Sequence, residues 1–164
     1  LISATQAQPS RHDNRGPIRS MSELKHIACP RCATINRLPE ARLGEKPNCG
    51  QCKQPLFQGA PVELTNKTFD RFVEGTDIPV VVDFWAAWCG PCRSMAQHYQ
   101  RATVMIEPRA RMAKLNVDES QEIAGRFDIR SIPTIIAFKN GREVSRRAGA
   151  MDHGSIVQWV RSLA

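Results

Sequence analysis

The sequence has 164 residues, of which 41% are hydrophobic and 24% are charged, and this composition is typical of a globular protein with one or two domains. No apolar run approaches the roughly 18 residues of a membrane-spanning helix. The run at residues 80–82 stops at Asp83 and the run at residues 135–138 stops at Lys139, so we expect no membrane span. Twenty-three Lys and Arg against sixteen Asp and Glu give a net charge of +7, so binding to polyanions has to be considered.

The first sixty residues divide into two predicted units. Residues 1–20 show neither helical nor strand periodicity, and we predict a disordered tail or extension without a chemical role. This stretch lacks the apolar segment of about 7–15 residues that marks a signal peptide. Residues 21–60 contain few large apolar side chains and many prolines and glycines, too little to close a conventional core. Another kind of interaction must therefore stabilise them.

Four cysteines in residues 21–60 can supply that interaction. Cys29/Cys32 and Cys49/Cys52 are C-x-x-C pairs separated by 16 residues, as in a tetrahedral four-thiolate zinc site. Four protein ligands leave no open position, so we expect one structural Zn²⁺ rather than a catalytic ion. Two extra redox pairs or a disulfide knot are the alternatives, and oxidation with loss of zinc would make the module regulatory. The four histidines show no ligand spacing and are expected to face solvent.

From residue 61 onward helix-like and strand-like segments alternate, and we place a domain boundary near residues 57–62, with the second domain at 61–164. The apolar segment Pro79–Ala86 has no alternation, which is typical of a central strand covered on both faces. Asn140-Gly141 favours the two-residue turn of a hairpin. In chain order we predict a helix capped by Thr65, the central strand, a helix from Cys89 to Pro108, a strand at 112–117, a helix near 120–127, a hairpin at 135–148 and a closing helix capped by Asp152. This order predicts an α/β fold with a mixed sheet flanked by helices.

The third C-x-x-C pair, Cys89 and Cys92, lies where the predicted central strand ends and a helix begins. There the Cys89 sulfur faces free N–H groups and the positive end of the helix dipole, which favour the thiolate. Thiolate is the species that attacks disulfides, and a second cysteine two residues away can resolve the mixed disulfide. Pro91 stiffens the loop between them. An inert pair or half of a zinc site is the alternative interpretation.

The segment Val82-Asp83-Phe84-Trp85-Ala86-Ala87-Trp88-Cys89-Gly90-Pro91-Cys92-Arg93 resembles the active-site signature of the thioredoxin family. Further matches at residues 113–118, 129–134, 138–141 and 149–150 occur in the family's order, so the resemblance covers residues 61–164. It implies the thioredoxin fold and a protein-disulfide reductase with Cys89 as nucleophile and Cys92 as resolving thiol. Gly90 and Pro91 match the reducing members, whereas family oxidases and isomerases usually carry a His there.

Asp83 would be a carboxylate inside an apolar strand. Burial disfavours its charged form and raises its pKa, so it could exchange a proton near neutral pH. The resemblance assigns Asp83 the deprotonation of Cys92, with Lys114 as a nearby polar partner. A purely structural, hydrogen-bonded role is the alternative for both residues.

The resemblance also implies a substrate-binding patch around Cys89. It is formed by Trp88, Ile132, Pro133 and Gly149, and Pro133 is implied to follow a cis peptide bond; ordinary surface or core roles are the alternative. One departure from the family lies in the helix that follows, where Gln97 replaces a proline that usually kinks it. We expect a straighter helix and an altered reduction potential.

The amino-terminal module resembles a small zinc ribbon, and its union with the second domain resembles the zinc-binding, two-domain type of bacterial thioredoxin. The resemblance implies a cytoplasmic monomer without a bound organic cofactor. It further implies disulfide-containing client proteins and an NADPH-dependent thioredoxin reductase as electron donor. A disulfide isomerase or oxidase is the alternative, as is a zinc-ribbon binding module with a redox domain. Nucleic-acid binding is not expected, because four thiolates with Zn²⁺ reduce the module's charge from +3 to about +1 and Phe57 is its single aromatic residue.

Overall fold

The computed structural model describes residues 23–163, so the predicted tail at residues 1–20 lies outside the described residues. These residues form two sheets, four α-helices and one 3₁₀ helix. None of the helices in this part of the chain is both long and apolar enough to cross a membrane. In chain order the elements are β1 (Leu24–Ala28), β2 (Ile35–Pro39), the 3₁₀ helix (Glu40–Glu45), β3 (Val62–Leu64), α1 (Phe69–Glu74), β4 (Val80–Trp85), α2 (Gly90–Ile106), β5 (Arg111–Asn116), α3 (Gln121–Arg126), β6 (Thr134–Lys139), β7 (Arg142–Ala148) and α4 (His153–Arg161).

The amino-terminal module is built on the antiparallel pair β1–β2. Its buried side chains form a small cluster that includes Ile27, Leu43 and Leu56 together with two of the cysteines. Ile78, which precedes β4, belongs to the same cluster. The module's small apolar cluster is therefore completed by a side chain from the second domain.

The larger sheet has the strand order β3-β5-β4-β6-β7, with β4 in the middle. β4 is parallel to β5 and antiparallel to β6, so the predicted mixed sheet and the central position of the strand are confirmed. The turn between β6 and β7 has positive φ at both Asn140 (51°) and Gly141 (77°), as a type I′ turn requires. The hairpin prediction is therefore also confirmed.

The helices cover both faces of this sheet. α2 runs without interruption through Gln97 and buries Met95, Tyr99 and Ile106 against the face that α4 also covers. The Tyr99 hydroxyl lies 2.9 Å from the carbonyl oxygens of both Val81 and Ala113. This side chain therefore links α2 to the two central strands. α1 and α3 pack on the opposite face.

Two local predictions are wrong. Thr65 does not cap α1, because its hydroxyl accepts the N–H of Lys67 in a turn, and the helix begins later, after Thr68.

His98 and His153 do not simply face solvent. They are half-buried between α2 and α4, with their Nδ1 atoms 3.3 Å apart.

The module contacts the second domain through the segment between α1 and β4. The N–H of Ala28 donates to Thr76 Oγ1 (3.3 Å), and His26 Nδ1 lies 2.9 Å from Asp77 Oδ2. Ile35 packs against Gly75, where a Cβ atom would come within 2.3 Å of Ile35 Cδ1. The two sheets thus meet along a close, hydrogen-bonded contact.

We predict that Gly75→Ala lowers the free energy of unfolding by about 1–3 kcal/mol, as overpacking does elsewhere. The added methyl would also lie 2.6 Å from the carbonyl oxygen of Arg71, a backbone atom that cannot move aside like a side chain. Urea unfolding measures the change. Gly125→Ala is the control, because a Cβ there meets nothing within 4 Å, and we expect an unchanged or slightly higher stability. Equal midpoints for Gly75→Ala and wild type would contradict the prediction.

Candidate active site and metal centre

Cys89 and Cys92 lie between the carboxyl end of β4 and the first turn of α2. Cys89 is the N-cap residue of α2, Pro91 stands in its first turn, and the two cysteines form a disulfide with their Cα atoms 5.2 Å apart. The backbone N–H of Cys92 lies 3.2 Å from Cys89 Sγ. In the reduced protein this N–H group and the helix dipole would stabilise a Cys89 thiolate.

The four residues implied as a substrate-binding patch differ in exposure. Trp88 is 68% exposed, and its Nε1–H donates to Asp118 Oδ2 at 2.9 Å. Ile132 is half-buried, with its carbonyl oxygen 3.8 Å from Cys89 Sγ. Pro133 is buried behind a cis peptide bond, as the resemblance implies, and it accepts a hydrogen bond from the N–H of exposed Gly149 (2.9 Å).

Trp88 and Ile132 also border a shallow groove beside the disulfide. Its other lining residues are Val117, Ile129, Arg130 and Ser131. The structure therefore brings Trp88 and Ile132 to the sulfur, and it connects Pro133 and Gly149 to them through the backbone.

Asp83 is buried in the middle of β4, with 4% of its surface exposed. Burial raises the pKa of its carboxyl to about 7, and the charge of Lys114 opposes the shift. Within the described residues, Asp83 Oδ1 has no hydrogen-bond partner. Lys114 stands opposite Asp83 on β5, where its Nζ lies 3.7 Å from Glu63 Oε2 and 5.3 Å from the Trp85 ring centroid. The carboxyl can therefore change its protonation state near neutral pH.

The sulfur atoms of Cys29, Cys32, Cys49 and Cys52 all lie within 4.8 Å of one another. Two short contacts join the different C-x-x-C motifs: Cys29 Sγ lies 3.6 Å from Cys52 Sγ, and Cys32 Sγ lies 3.7 Å from Cys49 Sγ. A tetrahedral zinc site with Zn–S bonds of about 2.3 Å separates its sulfur atoms by about 3.8 Å. None of these four cysteines forms a disulfide bond, so the geometry favours a metal site over disulfide pairs.

Backbone and side-chain N–H groups surround these sulfur atoms. The N–H of Arg31 donates to Cys29 Sγ and that of Gln51 donates to Cys49 Sγ, each at 3.4 Å. Asn36 on β2 donates through Nδ2 to Cys49 Sγ (3.5 Å), while its Oδ1 accepts the N–H of Gly50 (2.8 Å). Sequence reasoning missed Asn36, and no spacing or composition signal marks it, because only the fold brings β2 beside the second motif. Such contacts orient metal ligands and tune their affinity.

A redox-active cysteine pair at a helix start, beside a cis-proline loop on this mixed sheet, defines a thiol–disulfide oxidoreductase. A family model described as Thioredoxin matches residues 60–162, and a second, described as Thioredoxin 2, N-terminal, matches residues 28–54. The chain belongs to the thioredoxin family and carries an amino-terminal zinc-ribbon module. The predicted family, thioredoxin fold and zinc-ribbon-like module are confirmed.

Individual relatives agree with this assignment. Thioredoxin C-3 from Corynebacterium nephridii is 38% identical over 134 residues, which cover 82% of this chain and 92% of that protein. Thioredoxin from Rickettsia bellii is 37% identical over 99 residues, covering 60% of this chain and 94% of its own. Thioredoxin from Alicyclobacillus acidocaldarius is 48% identical over 90 residues, covering 55% and 85%. The protein is accordingly an oxidoreductase that acts on disulfides.

Proposed function

We propose that the protein is a protein-disulfide reductase that works through Cys89-Gly90-Pro91-Cys92. The observation that carries this proposal is the position of Cys89 Sγ, 3.2 Å from the N–H of Cys92 and beside the open groove at Trp88. An ionised Cys89 is stabilised there and can be approached by a client disulfide. The relatives named thioredoxin support the same reaction class.

The first step forms a mixed disulfide. The Cys89 thiolate attacks one sulfur of the client disulfide, the client S–S bond breaks, and the second client sulfur leaves as a thiolate. Trp88, Ile132, Pro133 and Gly149 bind the client segment in this proposal. The carbonyl oxygen of Ile132, 3.8 Å from Cys89 Sγ, lies at the point where an extended client chain would pass.

The second step releases the reduced client. Cys92 gives its proton to Asp83 and attacks Cys89 Sγ, which breaks the mixed disulfide and frees the remaining client sulfur as a thiolate. The Cys89–Cys92 disulfide forms, so two electrons have passed from the protein to the client. The buried carboxyl of Asp83, with its pKa at about 7, suits proton uptake and return, and Lys114 modulates it.

We predict that Asp83→Asn slows disulfide reduction at pH 7 by about tenfold or more, because it removes the proton acceptor. The variant should also change the pH dependence of stability. In the folded wild type the raised pKa of Asp83 keeps a proton on the carboxyl, whereas the unfolded chain releases that proton above about pH 4. Wild-type stability therefore falls as the pH rises towards 7. Asp83→Asn removes this fall, which amounts to on the order of 3–4 kcal/mol by pH 8.5.

Urea unfolding of the oxidised wild type and Asp83→Asn at pH 4.5, 7 and 8.5 measures this difference. Glu122→Gln removes an exposed carboxylate from α3 and serves as the control, with a curve parallel to that of wild type. Equal pH dependence in Asp83→Asn and wild type would show that Asp83 does not change its charge in this range.

Further parts of the proposal concern domains, metal and partners. We propose a zinc module at residues 21–60 and a thioredoxin domain at residues 61–164. One structural Zn²⁺ would be bound by the sulfur atoms of Cys29, Cys32, Cys49 and Cys52. Its role would be to cross-link the two C-x-x-C motifs of the module. No bound organic cofactor is needed, because the dithiol itself carries the electrons. An NADPH-dependent thioredoxin reductase would reduce the pair again, and the protein would act as a monomer in the cytoplasm.

An insulin assay tests the proposed reaction. With a small dithiol as electron source, the protein should accelerate insulin reduction, and it should oxidise a reduced, unfolded client much more slowly. Faster oxidation than reduction would identify an oxidase or isomerase instead. Sequence-selective nucleic-acid binding at moderate salt, without reductase activity, would indicate a binding module.

A further inference from the structure

Arg111, the first residue of β5, is a buried cation without a hydrogen-bond partner. Its residue surface is 1% exposed, and Nε, Nη1 and Nη2 all lack a partner in the described structure. It is the single buried Lys or Arg within residues 23–163. Burying a charged guanidinium is strongly unfavourable unless nearby charges compensate for the lost water.

The guanidinium lies between the module and the second domain. Its Cζ is 4.6 Å from the ring centroid of Phe57 and 5.5 Å from that of Phe72 on α1. Phe57 packs in turn against the buried cluster that contains Cys29 and Cys49. Arg111 therefore reaches from the large sheet to the edge of the cysteine cluster.

Arg111 has one carboxylate near it and the Cys29 sulfur within electrostatic range. Burial lowers the pKa of Arg111 to about 10, while the negative charge of Glu107, and that of Cys29 once its sulfur is ionised, oppose that shift, so the guanidinium stays protonated at neutral pH. Glu107 is only a partial partner. Its Oε2 accepts the N–H of Gly59 at 3.2 Å, and its Oε1 has no partner in the described residues.

Zinc binding would add negative charge on the side of Arg111 that faces the cysteine cluster. Four thiolates and one Zn²⁺ carry a net charge of −2, whereas four protonated thiols carry none. The module's own Arg31 and Lys53 are exposed, so water screens their charges. A buried cation at the edge of the cluster is screened far less.

We propose that Arg111 is the buried counter-charge of the zinc-tetrathiolate cluster, so that zinc binding and docking of the module on the thioredoxin domain stabilise each other. This inference depends on the proposed zinc site. The stabilisation is reciprocal, because a free energy of coupling acts equally on both equilibria. Arg111 is a positioning residue in this account and takes no part in the disulfide chemistry.

The test uses the full chain loaded with zinc and measures transfer of zinc to a chromophoric chelator. Arg111→Met keeps the length of the side chain and its contact with the two phenylalanines, but removes the charge. We expect its zinc affinity to fall by about tenfold, the lower end of the usual effect of residues that support metal ligands. Arg111→Lys keeps the charge and should stay closer to wild type. Arg37→Met removes one exposed charge from β2 of the same module and should change zinc affinity by less than about threefold.

A second readout is hydrogen exchange in α1 and at residues 76–78. Chelation of wild type should increase exchange there, because docking weakens, and the increase should be smaller in Arg111→Met. Equal zinc affinity in Arg111→Met and wild type, or an equal loss of zinc affinity in Arg37→Met and Arg111→Met, would overturn the proposal. Wild type that binds no zinc would overturn the metal assignment and this inference together, whereas normal zinc binding in every variant would overturn this inference alone.

Discussion

Replacing Cys89 by Ser is expected to abolish insulin reduction, with a loss of at least about a thousandfold. A serine hydroxyl is not ionised at neutral pH, so the N–H of Cys92 and the dipole of α2 have no anion to stabilise and the variant has no attacking nucleophile. The rate of dithiol-dependent insulin precipitation measures the loss. Residual activity near the wild-type rate would show that another thiol attacks the client.

Cys92→Ser is the matched variant, because it leaves the attacking sulfur in place and removes only the resolving thiol. It should form a mixed disulfide with a client and fail to release it, so a covalent adduct accumulates on a non-reducing gel. Cys89→Ser should form no such adduct. If Cys89→Ser rather than Cys92→Ser traps the client, the proposed roles of the two cysteines are reversed.

Removal of zinc is expected to unfold the amino-terminal module. Structural zinc supplies on the order of 10 kcal/mol in comparable small sites, and the module's own buried cluster is too small to replace it. We expect one zinc per chain in wild type and none in Cys49→Ser, measured by elemental analysis. Amide exchange in β1 and β2 should rise by at least about a hundredfold, while the five-stranded sheet remains protected.

Cys89→Ser is the control for this experiment too, because it removes a cysteine outside the metal site and should retain full zinc. A Cys49→Ser protein with intact zinc, or an unchanged exchange pattern in β1 and β2 after chelation, would contradict the prediction. Either result would mean that apolar packing and the contacts with residues 75–78 suffice to fold the module.

The sequence predicted the parts of the fold that depend on local pattern. The segment around Val80–Phe84 is apolar at every position except Asp83, and a strand without alternation must be covered on both faces. Asn140-Gly141 tolerates two positive φ values, and Asp152 caps α4 by accepting the N–H of Ser155 at 2.7 Å. Cysteine spacing marked both candidate sites for the same reason, because two intervening residues bring the sulfur atoms of each pair to one loop.

The features that the sequence did not reveal depend on distant segments. The predicted strand began at Met112, yet β5 begins at Arg111, whose burial is made possible by Phe57 and Phe72 from elsewhere in the chain. Asn36 acquires its role only when β2 lies beside the second cysteine motif. Local propensity contains no information about such neighbours, so their positions follow from the packing of the whole fold.

Each of the two buried apolar clusters contains a side chain from the other domain. Ala28 of β1 is buried with the side chains of the large sheet, while Ile78 is buried with those of the small one. Cutting the polypeptide near residue 60 would therefore uncover nonpolar area on both fragments. The isolated thioredoxin domain would be prone to self-association. A stable single-domain version would require polar replacements for the apolar side chains that the cut exposes.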